Sequence, residues 1–166
     1  MDNFLEKRGA INEMIRYKQG DIFTSNCEAI VNPVNTHGRM GAGLAAAFRK
    51  NFPDNNKFYK TACKLGQVKI GSMFVWEKSK KSKGYNLPQY IINFPTKDDS
   101  SKPSEYDYIK KGLEDLSSYI AYKKINSIAI PALGCGLGGL DWSKVKQMIE
   151  DYLSATTTEI MVYEPH

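Results

Sequence analysis

Histidine is nearly missing from this chain. Its only two are His37 and His166. That excludes a metal centre built on clustered imidazoles, and a Ser-His-Asp relay would have to run through His37. Cysteine is scarce as well. Cys27, Cys63 and Cys135 are odd in number and widely spaced, so they form neither a disulfide framework nor a zinc pattern. A reducing cytoplasm is the expected location. No apolar run approaches the roughly 20 residues of a membrane span, and Met1-Asp-Asn-Phe-Leu-Glu-Lys-Arg8 lacks the apolar stretch of a secretory leader.

What remains is ordinary for one globular domain with a sizeable core. The chain has 166 residues, 42% of them apolar and 25% charged. Its net charge of +5 favours polyanionic partners. The densest basic block is Lys78-Ser-Lys-Lys-Ser-Lys-Gly84. It reads either as a solvated loop between strands or as a contact to nucleic-acid phosphates.

The most informative stretch is Ile128-Ala-Ile-Pro-Ala-Leu-Gly-Cys-Gly-Leu-Gly-Gly139, an apolar strand that runs into four glycines. A helical pattern follows over 142–153. A buried strand that delivers a glycine loop to a helix start suits phosphate: backbone N–H groups are exposed, and the helix N-terminus adds partial positive charge. No Gly-Lys-Ser/Thr follows, so this is not a P-loop, and the spacing is not that of a dinucleotide fingerprint. A second glycine loop stands at Gly38–Gly43.

In chain order, residues 1–13 read as a polar arm and 14–166 as the domain. Strands are expected over 15–19, 28–35, 72–77, 89–94, 127–132 and 159–163. Helices are expected over 44–51, from Pro53 to about Leu65, from about Glu105 to Tyr122 with Ser104 as N-cap, and over 142–153. In the third helix, Tyr108, Ile109, Leu113, Leu116 and Ile120 are expected on one apolar side. Pro95–Lys102 reads as a polar loop. The alternation of strands and helices predicts an α/β domain whose ligands sit at the C-terminal ends of a mostly parallel sheet.

Polar residues stand where such a sheet binds. Asp21 follows the first strand, and its carboxylate can accept from an exocyclic amine such as adenine's; it can equally cap a turn. Asn32 and Asn35 end the second strand. Asn35 suits ribose hydroxyls or an Asx turn. Two glycine loops near one another suit a pyrophosphate and a second sugar.

Gly20-Asp21-Ile22, Ile30-Val-Asn-Pro-Val-Asn35, Gly41-Ala-Gly43-Leu44 and Pro131-Ala-Leu-Gly-Cys-Gly-Leu-Gly-Gly139 together resemble a macrodomain, the ADP-ribose-binding fold. The resemblance runs from about residue 14 to 165. It is closest to the branch that contains the DarG antitoxin macrodomain and the terminal ADP-ribose protein glycohydrolase. Asn93-Phe-Pro-Thr-Lys97 and Gly138-Gly-Leu-Asp-Trp142 are similar to the DarG pattern. The resemblance implies a three-layer α/β/α sandwich around a mixed, roughly six-stranded sheet. It implies an ADP-ribose site drawn from Asp21, Ile22, Asn32, Asn35, Gly41, Gly43, Leu44, Gly134, Cys135, Gly136, Leu137 and Gly138. In that site Asp21 meets the adenine amine, Asn35 the distal ribose, and the second loop the phosphates. Two departures narrow the branch. The loop Gly38-Arg-Met-Gly-Ala-Gly43 is shorter than that of MacroD-type hydrolases and lacks their Asp. Gly138 stands where the terminal glycohydrolase carries an Asp, whereas Asp141 follows the DarG pattern and would open the next helix.

Lys97 matches the lysine regarded as catalytic in this branch. A lysine attacks only as the free amine, and its pKa in water is about 10.4. It could attack C1″ of the distal ribose, form a Schiff base with the ring-opened aldehyde, or stay charged and stabilise the departing base. Cys135 has no imidazole partner, so backbone donation is its expected role. The implied activity is removal of ADP-ribose from ADP-ribosylated thymidine in single-stranded DNA, reversing a DarT-type toxin, with that toxin a possible partner. No cofactor, metal or membrane is expected, and the chain is expected to be a monomer. Two other readings remain: release of ADP-ribose from acidic protein side chains or O-acetyl-ADP-ribose, and a reader module without turnover.

Overall fold

The structure is a computed structural model that describes residues 14–79 and 88–165. The arm at 1–13, Lys80 to Gly84 of the basic block and His166 lie outside the described residues. Six strands form one sheet: β1 (Ile15–Lys18), β2 (Ala29–Asn35), β3 (Phe74–Glu77), β4 (Tyr90–Lys97), β5 (Ser127–Ile130) and β6 (Glu159–Tyr163). Their spatial order is β1-β6-β5-β2-β4-β3. All pairings are parallel except β3 with β4. Among the described residues the α-helices are α1 (Gly43–Asn51), α2 (Pro53–Lys64), α3 (Tyr106–Tyr122) and α4 (Trp142–Leu153).

The buried strands place alternate residues on opposite faces of the sheet. Ala29 and Val31 of β2, with Ile92 and Phe94 of β4, join the apolar faces of α3 and α4. Ile30 and Ile91 pack with Phe48 of α1 on the other face. The result is the expected three-layer sandwich. The Ile109, Leu113, Leu116 and Ile120 stripe of α3 is fully buried, whereas Tyr108 is only partly covered. Gly112 lies within that stripe because the Phe94 ring fills its space: a Cβ there would stand 2.2 Å from Phe94 Cζ. Gly112→Ala is expected to lower stability by about 1–3 kcal/mol, even though alanine favours helix by roughly 0.5–1 kcal/mol. Urea unfolding would check this; a wild-type midpoint would mean that the Phe94 ring swings aside.

Two expectations are corrected. Pro95 does not begin a loop, since β4 continues through Pro95 and Thr96 to Lys97. β3 pairs with β4 only as far as Asn93, so beyond that point β4 has one free side, where a residue without an N–H is tolerated. Pro33 of β2 is placed alike, because β2 pairs with β5 only at Ala29 and Ile30. Nor is Ser104 an N-cap. Glu105 holds that position, and the Ser104 hydroxyl instead donates to the Thr96 carbonyl.

The early end of the β2–β5 pairing opens a crevice at the C-terminal end of the sheet. It lies where the chain changes direction in strand order, the usual ligand position in such folds.

Candidate functional site

Two glycine loops flank this crevice. The first leads from β2 into α1. Asn35 organises it: its Oδ1 accepts from the backbone N–H groups of His37 (2.9 Å) and Arg39 (3.3 Å), and its Nδ2 donates to the Arg39 carbonyl at 2.7 Å. These partners fix the orientation of the amide. Beneath it, the Tyr59 hydroxyl donates to the Asn35 carbonyl at 2.6 Å. Burial pushes the Tyr59 phenol far above its ordinary pKa, so it remains a donor. The α1 N-cap is Ala42, which supplies no side-chain acceptor. Its first-turn N–H groups therefore point outward without a capping partner, and Gly41 and Gly43 are exposed beside them.

The second loop leads from β5 into α4. Leu140 N–H donates to the Gly134 carbonyl at 2.9 Å, and Gly139 N–H to Gly136 at 3.2 Å. Among the described residues, the N–H groups of Gly136, Leu137 and Gly138 donate to no acceptor. Three consecutive free donors suit an anion, as in backbone nests. The packing here demands glycine. A Cβ on Gly138 would stand 2.5 Å from the Gly134 carbonyl oxygen, and one on Gly134, whose φ is +72, would stand 2.8 Å from Leu140 Cδ1. The loops face each other: Leu137 Cδ1 lies 3.9 Å from where a Gly43 Cβ would be. Asp141 caps α4 as expected, accepting from the Ser143 N–H at 3.0 Å.

Cys135 is corrected as a backbone donor, because its N–H already donates to the Ala132 carbonyl at 3.1 Å. Burial, with the Asp141 charge behind it, pushes the thiol up to about 11. The sulfur stays protonated at neutral pH and is a poor nucleophile.

Asn32 is also corrected as a contact residue. It has no exposed surface, and its Nδ2 donates to Asn93 Oδ1 at 3.0 Å. Asn93 exchanges hydrogen bonds with Asn55 of α2 and donates to the Phe74 carbonyl at 2.9 Å. This buried amide network ties β2, β4, β3 and α2 together below the crevice. Sequence reading missed Asn55, Asn93 and Tyr59 as supports, since only the fold brings them together.

Lys97 ends β4 at the crevice mouth. A register jump after Val34 sets Asn35 opposite Lys97 instead of Thr96. This irregularity resembles the bulges that re-aim side chains beside active sites. Lys97 is half-buried, and its Nζ lies 3.5 Å from the Ser100 carbonyl. The strand end is held from both sides. Thr36 donates through its hydroxyl to the Asp98 carbonyl at 2.7 Å, while Ser104 joins Thr96 to Gly138 through its N–H at 3.0 Å. Asp99 closes the rim. The Ser101 N–H and hydroxyl hold its carboxyl below the ordinary range, with smaller help from His37 and Arg39.

Asp21 follows β1, at the same C-terminal end of the sheet. It caps the short 3-10 turn Ile22–Thr24, accepting from Phe23 N–H at 2.9 Å through Oδ1. The cap occupies one carboxylate oxygen and leaves Oδ2 for a ligand. Ile22 is buried beneath it. Asp21, the two loops, Asn35 and Lys97 thus all stand at the C-terminal ends of strands of the one sheet.

Residues 31–149 match the family described as Macro domain. The chain belongs to the macrodomain family. A curated DNA ADP-ribosyl glycohydrolase of Thermus aquaticus is 44% identical over 153 residues, covering 92% of this macrodomain and 41% of the relative. The macrodomain here therefore spans about two fifths of that relative's length. The solved macrodomain of Thermus aquaticus DarG superposes with a TM-score of 0.85 at 44% identity, covering 91% of this chain and 98% of that one. Thermosipho africanus DarTG, solved in complex with ADP-ribose, gives 0.84 at 33% identity, covering 91% of this chain and 41% of that one.

Proposed function

We propose that this macrodomain is a DNA ADP-ribosyl glycohydrolase. It holds ADP-ribose along the crevice and removes it from ADP-ribosylated thymidine in single-stranded DNA, reversing a DarT-type modification. The observation that carries the reading is Lys97, set opposite Asn35 by the register jump at the crevice mouth. Asn35 and the first loop belong to the distal ribose, the sugar whose C1″ bears the base. The adenine amine lies at Asp21, and the pyrophosphate lies between the free N–H groups of the two loops. Lys97 then acts at C1″. The named activity of the Thermus aquaticus relative and the ADP-ribose complex of Thermosipho africanus DarTG support the same reading.

The test compares two substrates: a short single-stranded DNA carrying ADP-ribosylated thymidine, and a protein carrying ADP-ribose on acidic side chains. Release of unmodified DNA at a rate well above release from protein is the expected result. Release from protein alone would transfer the activity to that substrate. ADP-ribose binding with no release from either would make the domain a reader.

A further inference from the structure

One exposed aromatic pair is outside the crevice and has no part in it. Phe58 of α2 stacks on Phe74 of β3, with ring centroids 4.7 Å apart and planes inclined by 26°. Phe58 nevertheless remains 44% exposed, so its outer face is open, and Leu65 beside it is 67% exposed. Large apolar side chains usually reach this exposure singly. Here Phe58 of α2 and Leu65, the C-cap of that helix, share one flank, since residues seven apart nearly eclipse at 3.6 residues per turn.

The charge around the pair is mainly positive. From Asn55 to Trp76 the chain carries Lys57, Lys60, Lys64 and Lys69 and no acidic residue. Among the described residues, none of the four lysines is in a salt bridge. Asp54, in the first turn, is the one acid on α2. The geometry links this surface to the crevice. A Cβ on Gly38 would stand 3.3 Å from Cys63 Cβ and 3.9 Å from Lys60 Cα, so the Cys63–Lys60 flank of α2 abuts the first glycine loop. Turning around the helix at 100° per residue, Lys60 comes first, Lys64 and Lys57 share the outer crest, Thr61 and Asp54 follow, and Leu65 and Phe58 lie beyond. Half the circumference of a helix about 10–12 Å across is roughly 16–19 Å, within reach of a few nucleotides.

We infer that the outer face of α2 is a track for single-stranded DNA leading from the crevice: Lys60, Lys64 and Lys57 meet the backbone phosphates, and the open face of Phe58, braced by Phe74, stacks a base flanking the modified thymine. The inference rests on the DNA reading above and locates where the rest of the strand lies. Basic residues that follow a backbone toward an aromatic platform are the general means of holding single strands without reading sequence. An acidic protein would satisfy the lysines but would not need an open ring face.

The test measures anisotropy of a short labelled, unmodified oligothymidylate across a salt series, with free ADP-ribose titrated in parallel. Phe58→Ala is expected to weaken oligonucleotide binding about tenfold or more and to leave ADP-ribose binding unchanged. Phe58→Leu keeps apolar bulk but has no ring face and should weaken DNA as Phe58→Ala does. The double variant Lys57→Ala, Lys64→Ala should flatten the salt dependence by about 0.7 per lysine in log–log slope. On ADP-ribosylated oligonucleotide, these variants should raise KM without changing kcat, and they should hydrolyse ADP-ribosyl thymidine nucleoside at the wild-type rate. Wild-type oligonucleotide affinity in both Phe58→Ala and the lysine variant, with ADP-ribose binding intact, would overturn the track. So would a wild-type dimer in sedimentation that Phe58→Ala dissociates, since the pair would then be covered by a second copy. The two readings fail separately. DNA held at α2 with no hydrolysis of modified DNA sinks the glycohydrolase and keeps the track, and hydrolysis indifferent to these variants does the reverse.

Discussion

Lys97→Ala is expected to bind ADP-ribose about as tightly as wild type and to release it from modified DNA at least about 10³-fold more slowly. The expectation comes from how little of the fold depends on this amine. Its one hydrogen bond among the described residues, to the Ser100 carbonyl, is at 3.5 Å, near the limit of a real bond. The strand end is fixed instead by Thr36, Asp98 and Ser104. Removing the amine should therefore leave the crevice standing. Lys97→Arg then separates the chemistries. A guanidinium keeps the charge but stays protonated at any pH the protein survives. Activity within about tenfold of wild type would assign an electrostatic role, while a loss equal to that of Lys97→Ala would assign attack by the free amine. If Lys97→Ala lost ADP-ribose binding in proportion to its rate, the catalytic role would fall and Lys97 would be a binding residue.

Gly138→Ala is expected to weaken ADP-ribose binding at least about 100-fold, or about 2.7 kcal/mol. The added Cβ would meet the Gly134 carbonyl oxygen at 2.5 Å and Ser104 Cβ at 2.9 Å. The first is backbone, and the second belongs to the side chain that ties the loop to β4, so neither yields cheaply. The loop would have to open, and opening it scatters the three N–H groups that form the nest. Gly136→Ala is the control, since a Cβ there meets nothing within 4 Å. It should melt with the wild type. Calorimetric titration with ADP-ribose and thermal unfolding of the two variants check both statements; equal affinity in Gly138→Ala and wild type would show that phosphate is not held by this loop.

The parts of the site that are local in sequence were legible before the fold. Asp141 announces its helix, the glycine runs announce their loops, and the alternation of elements gives the layers. What was hidden depends on partners distant along the chain. Pro95 argues for a loop until β3 is seen to stop pairing at Asn93. Ser104 has the chemistry of an N-cap, and only the proximity of Thr96 redirects its hydroxyl. Asn32 resembles Asn35 on paper, three residues earlier in the same strand. One residue is sealed against Asn93 and the other reaches the loop, a difference decided by depth in the sheet. Cys135 reads as a free backbone donor until the turn to Ala132 is closed.

The proline of β2 at the mouth has a consequence beyond tolerance. Unpaired strand margins are templates that other strands, or their own neighbours, tend to zip onto. Pro33 lies where β2 loses β5, and its ring has no hydrogen to lend to such a zipper. The gap is thus kept apart by covalent chemistry rather than by an occupant. A ligand enters a slot already cut to shape, and little of its binding energy goes into prying the sheet open.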